Sequence, residues 1–259
     1  MTFIGYCACC ILRPLLWLRY RITVRGLAQV RRRGTRGVLF LPNHPALIDP
    51  VIITTLLFPS FQVRPLAFEE QISRPVLGWL CRCIGTIAMP DMLHAGKRFK
   101  EIVGLAFAAI IEALRKGQNV VLYPAGRIYR GRFENLRNTR AVSAILQACP
   151  DARIVLVRTT GLWGSSFGWA SGRAPDMDAA LKKVFRALPA NGIFFSPRRP
   201  VRIEFMEPDD FPRSADRRTI NRYLEAFYNA GSPPNTYVPY TWWEGGCVRE
   251  LPEPASPDE

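Results

Sequence analysis

From Val38 onward the chain alternates short apolar runs with longer stretches in which apolar residues recur at helical spacing. Val38 to Leu41, Val63 to Phe68, Gly85 to Met89, Asn119 to Tyr123, Arg153 to Arg158 and Val201 to Phe205 are brief and rich in Val, Ile, Leu or Phe, and each predicts a strand. Between them, Pro50 to Leu57, Ile72 to Cys83, Lys97 to Lys116, Asn135 to Gln147, Met177 to Leu188 and Ala215 to Asn229 predict helices, with Gly117 and Gly231 placed to stop the third and the last. Alternation of this kind predicts a layered α/β domain around one sizeable sheet. Its expected limits are residues 35–231. An apolar and Arg-rich segment, 1–34, precedes it, and a Pro-rich tail, 232–259, follows, its last ten residues expected to be mobile.

The first segment has its own pattern. Phe3 to Leu18 is apolar, with Trp17 and Tyr20 near its end, but Arg13 and Pro14 interrupt it before the ~18 uninterrupted apolar residues that a bilayer span needs. No Asp or Glu occurs before Asp49, whereas eight arginines do. These charges follow the apolar core, unlike a secretory signal, and the stretch lacks the serines of a transit peptide. It therefore predicts a monotopic anchor, an apolar helix with arginines behind it, lying on a membrane whose lipids are anionic. A buried first helix followed by a solvated arginine cluster is the alternative. The net charge of +14 extends the same preference to the whole chain, favouring partners that carry phosphate. Seven cysteines, an odd number without zinc-type spacing, predict neither a disulfide framework nor a metal site. They fit a reducing compartment, hence the cytoplasmic face of the membrane.

Only two histidines are available for proton transfer. His94 lies in a polar connection with Asp91 as its one near carboxylate. His44 follows Val38-Leu-Phe-Leu-Pro-Asn43 directly, at the carboxyl end of a predicted strand, where open α/β sheets place their ligands. Asp49, five residues on, is placed to accept the Nδ1 hydrogen of His44, leaving Nε2 to take a proton from a hydroxyl. A loop histidine beside an Asp helix cap is the plainer alternative. Past another predicted strand comes Tyr123-Pro-Ala-Gly-Arg-Ile-Tyr-Arg-Gly-Arg132. Here glycine lets backbone approach an anion, and Arg127, Arg130 and Arg132 offer forked donors that match phosphate.

Taken together, Asn43-His-Pro-Ala-Leu-Ile-Asp49, Gly85-Thr-Ile-Ala-Met89, Tyr123-Pro-Ala-Gly-Arg127 and Ile154-Val-Leu-Val157, in this order, resemble the glycerolipid acyltransferase family. Its best-known members are the lysophosphatidic acid acyltransferases. The resemblance runs from about Val24 to Arg158. The first block carries the family's Asn-His-x-x-x-x-Asp form entire. The third is similar to the acyltransferase part of bacterial acyl-carrier-protein synthetase fusions, except that Ala125 stands where those have glutamate. The second lacks the family's arginine after the strand, and the fourth has Leu156 where proline is common.

The resemblance implies a mixed central sheet flanked by helices, as in glycerol-3-phosphate acyltransferases, to which the apolar first segment adds a membrane-associating helix at the N-terminus. It implies transfer of a fatty acyl group from a thioester, acyl-CoA or acyl-carrier protein, to a hydroxyl of a lysophospholipid such as 1-acylglycerol-3-phosphate. His44 is then the general base and Asp49 its orienting partner. Asn43, Gly126, Arg127, Arg130 and Arg132 are the expected substrate contacts. Neither metal nor organic cofactor is expected, because the thioester is already activated. A catalytically silent lipid-binding member of the same fold is the alternative.

Two rivals of other classes fare worse. Gly164-Ser-Ser-Phe-Gly168 matches a hydrolase nucleophile elbow, but in that fold the histidine follows the serine, and no histidine follows His94. The stretch from Gly161 to Phe167 instead predicts a loop near the acyl or acceptor site, or a plain turn. A nucleic-acid binder is disfavoured because the basic stretch adjoins an apolar segment rather than an aromatic-studded sheet. Trp242, Trp243 and the tyrosines at 237 and 240 are expected to pack back on the domain, a second membrane contact being the alternative.

Overall fold

The computed structural model describes residues 2–68, 72–73, 75–89, 99–244 and 247–255. In chain order the elements are α1 (Thr2–Arg19), β1 (Tyr20–Arg25), α2 (Leu27–Arg32), β2 (Val38–Pro42), α3 (Asp49–Phe61), β3 (Arg64–Phe68), α4 (Pro75–Cys83), β4 (Ile87–Met89) and α5 (Phe99–Arg115). Then follow β5 (Val120–Val121), α6 (Ala141–Ala148), β6 (Arg153–Thr160), α7 (Met177–Ala190), β7 (Arg199–Met206), α8 (Arg217–Asn229), β8 (Thr236–Tyr237) and β9 (Arg249–Glu250).

Seven strands form one mixed sheet in the order β1-β7-β6-β2-β5-β3-β4, parallel throughout except for the β6–β7 pair. Alternating side chains of its central strands feed two separate cores. Val38 and Phe40 of β2, with Val155 and Val157 of β6, join Ile52, Ile53 and Leu57 of α3 on one face. Leu39 and Leu41, with Ile154 and Leu156, join Ile110 of α5, Ile145 of α6 and Leu224 of α8 on the other. The period of two along a strand thus builds a three-layer domain, and β2, buried at every residue, lies at its middle. All strands from β6 across to β4 run the same way, so the loops leaving β2, β5 and β6 emerge at one edge of the sheet.

All six predicted strands are present, and the differences lie at ends and edges. Strand β1 was not expected. Arg21, Thr23 and Arg25 alternate outward along it while Ile22 and Val24 pack on the first core, so the arginines hide a period-two pattern. Tyr20–Arg25 pairs with β7, which makes this part of the first segment an edge of the main sheet. The helix predicted from Asn135 begins only at Ala141, because Arg137 and Asn138 take left-handed backbone angles that no α-helix accommodates. The tail is tied down as far as Glu253, whose carboxylate accepts from the Trp163 indole at 2.8 Å and the Asn235 amide at 2.9 Å. His94 and the start of the helix predicted from Lys97 lie outside the described residues.

Helix α1 is continuous through Pro14. It rests Ala8, Cys9 and Leu16 against the domain and leaves Phe3, Ile11, Leu15 and Trp17 exposed. Among the described residues no helix is long and apolar enough to cross a membrane. Two of the early arginines are engaged within the domain, while Arg21, Arg25, Arg31, Arg32 and Arg36 are exposed. Arg19 is buried on backbone carbonyls, and Arg33 pairs with Asp209 at 3.1 Å.

Candidate active site

Strand β2 ends at Pro42, and the chain turns through Asn43 to Ile48 before entering α3 at Asp49. This turn places a carboxylate five residues after a histidine within reach of its ring. His44 Nδ1 lies 3.0 Å from Asp49 Oδ2, which also accepts the Ala46 amide at 3.0 Å. Asp49 has no exposed surface, whereas the His44 side chain keeps 15% of its own. The carboxylate is therefore held in the interior while the far side of the imidazole remains reachable. Burial opposes charging of His44. The carboxylates of Asp49 and Glu134 outweigh that effect and raise its pKa above the ordinary 6.5. Tyr123 places its ring 4.3 Å from the imidazole, and its buried phenol, pushed well above its usual range by desolvation and then by Asp49, stays protonated.

The loop after β5 wraps this turn. Tyr129 donates its amide to the carbonyl of His44 at 2.9 Å, and Glu134 accepts the His44 amide at 2.9 Å, so one loop grips both polar groups of the histidine backbone. Glu134 is itself fixed by Asn229 at the end of α8, which accepts its amide at 2.7 Å and donates to its carbonyl at 2.9 Å. Only 4% of Glu134 is exposed, and burial raises its pKa to about 7 against the opposing pull of the His44 amide and ring. Sequence reasoning missed this residue. A signal for it existed, since Glu134 is the only acidic residue between Glu112 and Asp151 and stands among five arginines from Arg127 to Arg140.

Gly126 adopts a φ of +65°, and a Cβ there would meet nothing within 4 Å. The residue is required by the turn and leaves its surroundings open to an incoming anion. Arg127 is partly buried. Desolvation first, and then the Arg130 charge, lower its pKa, with Glu134 pulling the other way, so the three groups share one electrostatic neighbourhood. Arg130 lies over the Trp169 ring at 5.0 Å.

Two expected contacts have other work. Arg132 turns its guanidinium to the Ser232 carbonyl at 2.7 Å and lies over Phe133. Asn43 is buried and satisfies its side chain internally: it accepts the Thr159 amide at 2.7 Å, donates to the Thr159 carbonyl at 3.0 Å, and contacts the Tyr129 hydroxyl. It clamps β2 to β6 and to the loop.

The Gly161 to Phe167 loop covers the same turn from the β6 side. Phe167 accepts the Leu47 amide at 2.9 Å. Buried Arg199 donates to the carbonyls of Gly161, Trp163, Gly164 and Thr236 at 2.8–3.2 Å, its pKa pushed down to about 10 chiefly by desolvation. Ser166 sits in a succession of turns with no helix before Met177, so the strand-to-helix geometry of a nucleophile elbow is not formed. Among the described residues no cluster of His, Cys, Asp and Glu is arranged to hold a metal ion.

A histidine oriented by a buried carboxylate, opening beside a glycine–arginine loop, is equipped to take a proton from a hydroxyl next to an anionic group. The acyltransferase family model matches residues 21–159, a span that includes His44, Asp49, Arg127 and Glu134. None of the curated proteins compared matches the chain. Among solved structures, the crystal structure of the 1-acyl-sn-glycerophosphate acyltransferase PlsC from Thermotoga maritima superposes with a TM-score of 0.54 at 16% identity, covering 82% of this chain and 71% of that one. That similarity is one of fold.

Proposed function

The chain belongs to the acyltransferase family, and on that premise we propose that it transfers a fatty acyl group from a thioester to a hydroxyl of a lysophospholipid at a membrane surface. The observation that carries the proposal is the 3.0 Å contact of His44 with buried Asp49, joined through the His44 backbone to the loop bearing Gly126 and Arg127. Nε2 of His44 takes the proton of the acceptor hydroxyl as its oxygen bonds to the thioester carbonyl carbon. The tetrahedral intermediate then collapses, the carbon–sulfur bond breaks, and the imidazolium returns the proton to the departing thiolate. Asp49 keeps the Nδ1 hydrogen in place and stabilises the transient positive charge. Nothing is consumed beyond donor and acceptor, so the step needs no further reactant.

Arg127, with Arg130 beside it, is proposed to receive the acceptor's phosphate. A phosphate-bearing acceptor such as 1-acylglycerol-3-phosphate, the substrate named for the Thermotoga protein, fits this loop. Arg127→Ala is expected to raise KM for such an acceptor roughly 10- to 50-fold, the worth of one charge-assisted hydrogen-bond pair, with a smaller change in kcat. Steady-state kinetics with a phosphate-bearing and a neutral monoacylglycerol acceptor check this, since only the former should respond.

The apolar outer face of α1, with Phe3, Ile11 and Leu15 exposed, supports a monotopic seat at the cytoplasmic face of a membrane, where such acceptors reside. The direct test of the activity is product mass spectrometry on the purified chain, given a panel of lysophospholipids with acyl-CoA and with acyl-carrier protein. A diacyl product is expected, and its head group and donor define the specificity. Silence across the whole panel would remove the acyl-transfer reading.

A further inference from the structure

Three stretches far apart in sequence meet in one exposed face that the acyl-transfer chemistry does not use. Buried Arg19, at the end of α1, joins them. Its guanidinium donates to the Pro197 carbonyl at 2.5 Å, the Pro239 carbonyl at 2.8 Å and the Val238 carbonyl at 2.9 Å, and lies 4.0 Å over the Tyr240 ring. The loop before β7 and the segment after β8 are thereby fixed against α1. What these stretches carry outward is apolar. Phe194, Phe195, Trp242 and Trp243 are between 64% and 79% exposed, so the expectation that the tryptophans pack back on the domain is corrected.

Both indole N–H groups are already satisfied. Trp242 donates to the Phe195 carbonyl at 2.5 Å and Trp243 to the Ala190 carbonyl at 3.0 Å. The rings consequently offer carbon surface to the outside with no polar atom wanting a partner. Ile193 in this loop takes a φ of +65°, costly for a β-branched residue, and the turn is held against that cost by its amide donating to the Leu188 carbonyl at 2.7 Å and by the two indole bonds. Trp17 of α1 extends the face, with the Arg198 guanidinium 4.4 Å over its ring.

Beside these aromatics runs an open groove of about 420 Å³, whose cationic wall is Lys182, Lys183 and Arg186 of α7. All three are exposed, and Lys183 lies 4.4 Å over Tyr240. Among the described residues lining the groove the one carboxylate, Glu244, is engaged by the Tyr237 hydroxyl at 2.6 Å and the Tyr240 amide at 3.1 Å. Aromatic rings next to a row of cations match the level of a bilayer at which headgroup phosphates meet acyl chains. A second copy of this chain is a poor occupant, because it would set the three cations against their own duplicates in a molecule of net charge +14.

We propose that this face is a second membrane-docking surface, in which Phe194, Phe195, Trp242 and Trp243 enter the interface of an anionic bilayer and the Lys182–Lys183–Arg186 groove seats a phospholipid headgroup. The proposal deepens the reading of the chain as an enzyme working at a membrane, and it gives α1 a partner that fixes the orientation of the whole domain.

The test is flotation of the purified full chain with vesicles of phosphatidylcholine alone and of phosphatidylcholine with phosphatidylglycerol. Two variants accompany the wild type: Trp242→Ser with Trp243→Ser, and Lys182→Glu with Lys183→Glu and Arg186→Glu. The second changes only exposed positions of α7 and leaves its packed Ala180 and Ala187 untouched. Roughly a hundredfold loss of affinity for the anionic vesicles is expected from the charge variant. The tryptophan variant should bind both vesicle types more weakly, by a similar factor on each. Acyl transfer between short-chain, water-soluble substrates should be unchanged in both. If both variants float as the wild type does, or if either shifts the molar mass in light scattering from dimer to monomer, the docking face is overturned. A wild type that binds vesicles through these residues yet acylates nothing would uphold the face and overturn acyl transfer instead.

Discussion

Replacing His44 by alanine is expected to lower kcat/KM for acyl transfer by about three to four orders of magnitude, at the upper end of what a positioned general base contributes. The loss should fall on kcat, with KM for donor and acceptor little changed, because the imidazole gains its interaction with the hydroxyl proton only as the bond to the carbonyl carbon forms. Folding should survive. The His44 side chain is partly exposed, and its backbone bonds to Tyr129 and Glu134 do not depend on the ring. Asp49→Asn supplies the companion measurement. Asparagine keeps the shape but removes the charge that raises the His44 pKa, so the acid limb of kcat/KM should move to lower pH while the plateau falls by about 100-fold or more. A circular-dichroism spectrum and melting temperature matching wild type, together with turnover close to wild type in either variant, would eliminate the His44–Asp49 mechanism.

The legibility of this site follows from where its parts lie in the chain. His44 and Asp49 are five residues apart at a strand-to-helix turn, so one short stretch of sequence contains both groups and the geometry that joins them. Gly126 and Arg127 were singled out for the same local reason, and the loop that carries them bonds to the His44 backbone. Glu134 was not, because its role depends on a loop folding back over another strand's end and on Asn229, 95 residues away, holding it there. Asn43 looked like a substrate contact because it adjoins His44, the proposed base. Only the position of β6 beside β2 shows that Thr159 occupies its amide. Arg132, taken with Arg127 and Arg130 as one basic cluster, is drawn off by a carbonyl 100 residues on. The sheet itself was readable wherever strands are buried on both faces. It was not readable at the β1 edge, where the strand needs only one apolar face and carries arginines on the other.

Glu134 is the residue whose replacement should separate position from charge. Ala125, at the position where the resemblance leads one to expect glutamate, packs against the second core and carries no polar group. A second buried carboxylate beside His44, besides that of Asp49, comes from Glu134, nine residues after Ala125. Glu134→Ala leaves the buried His44 amide without its acceptor and loosens the turn that holds the base, and kcat should fall by about 100-fold, the scale of an ångström's misplacement. Glu134→Gln keeps an acceptor at the same place and should remain within about tenfold of wild type. It also removes a negative charge that helps hold the His44 pKa up, so its acid limb should lie at lower pH than that of wild type. Stability carries the opposite sign. A carboxyl raised from 4.5 to about 7 on folding costs nothing below pH 4.5, and its cost grows as pH rises to 7, where it reaches about 3 kcal/mol. Glutamine has no such titration. Its melting temperature should therefore match wild type near pH 4.5 and exceed it at pH 8. Thermal melts of both proteins across this range, beside their pH–rate profiles, would sink the assignment if the two melting curves stayed parallel or if alanine proved as active as glutamine.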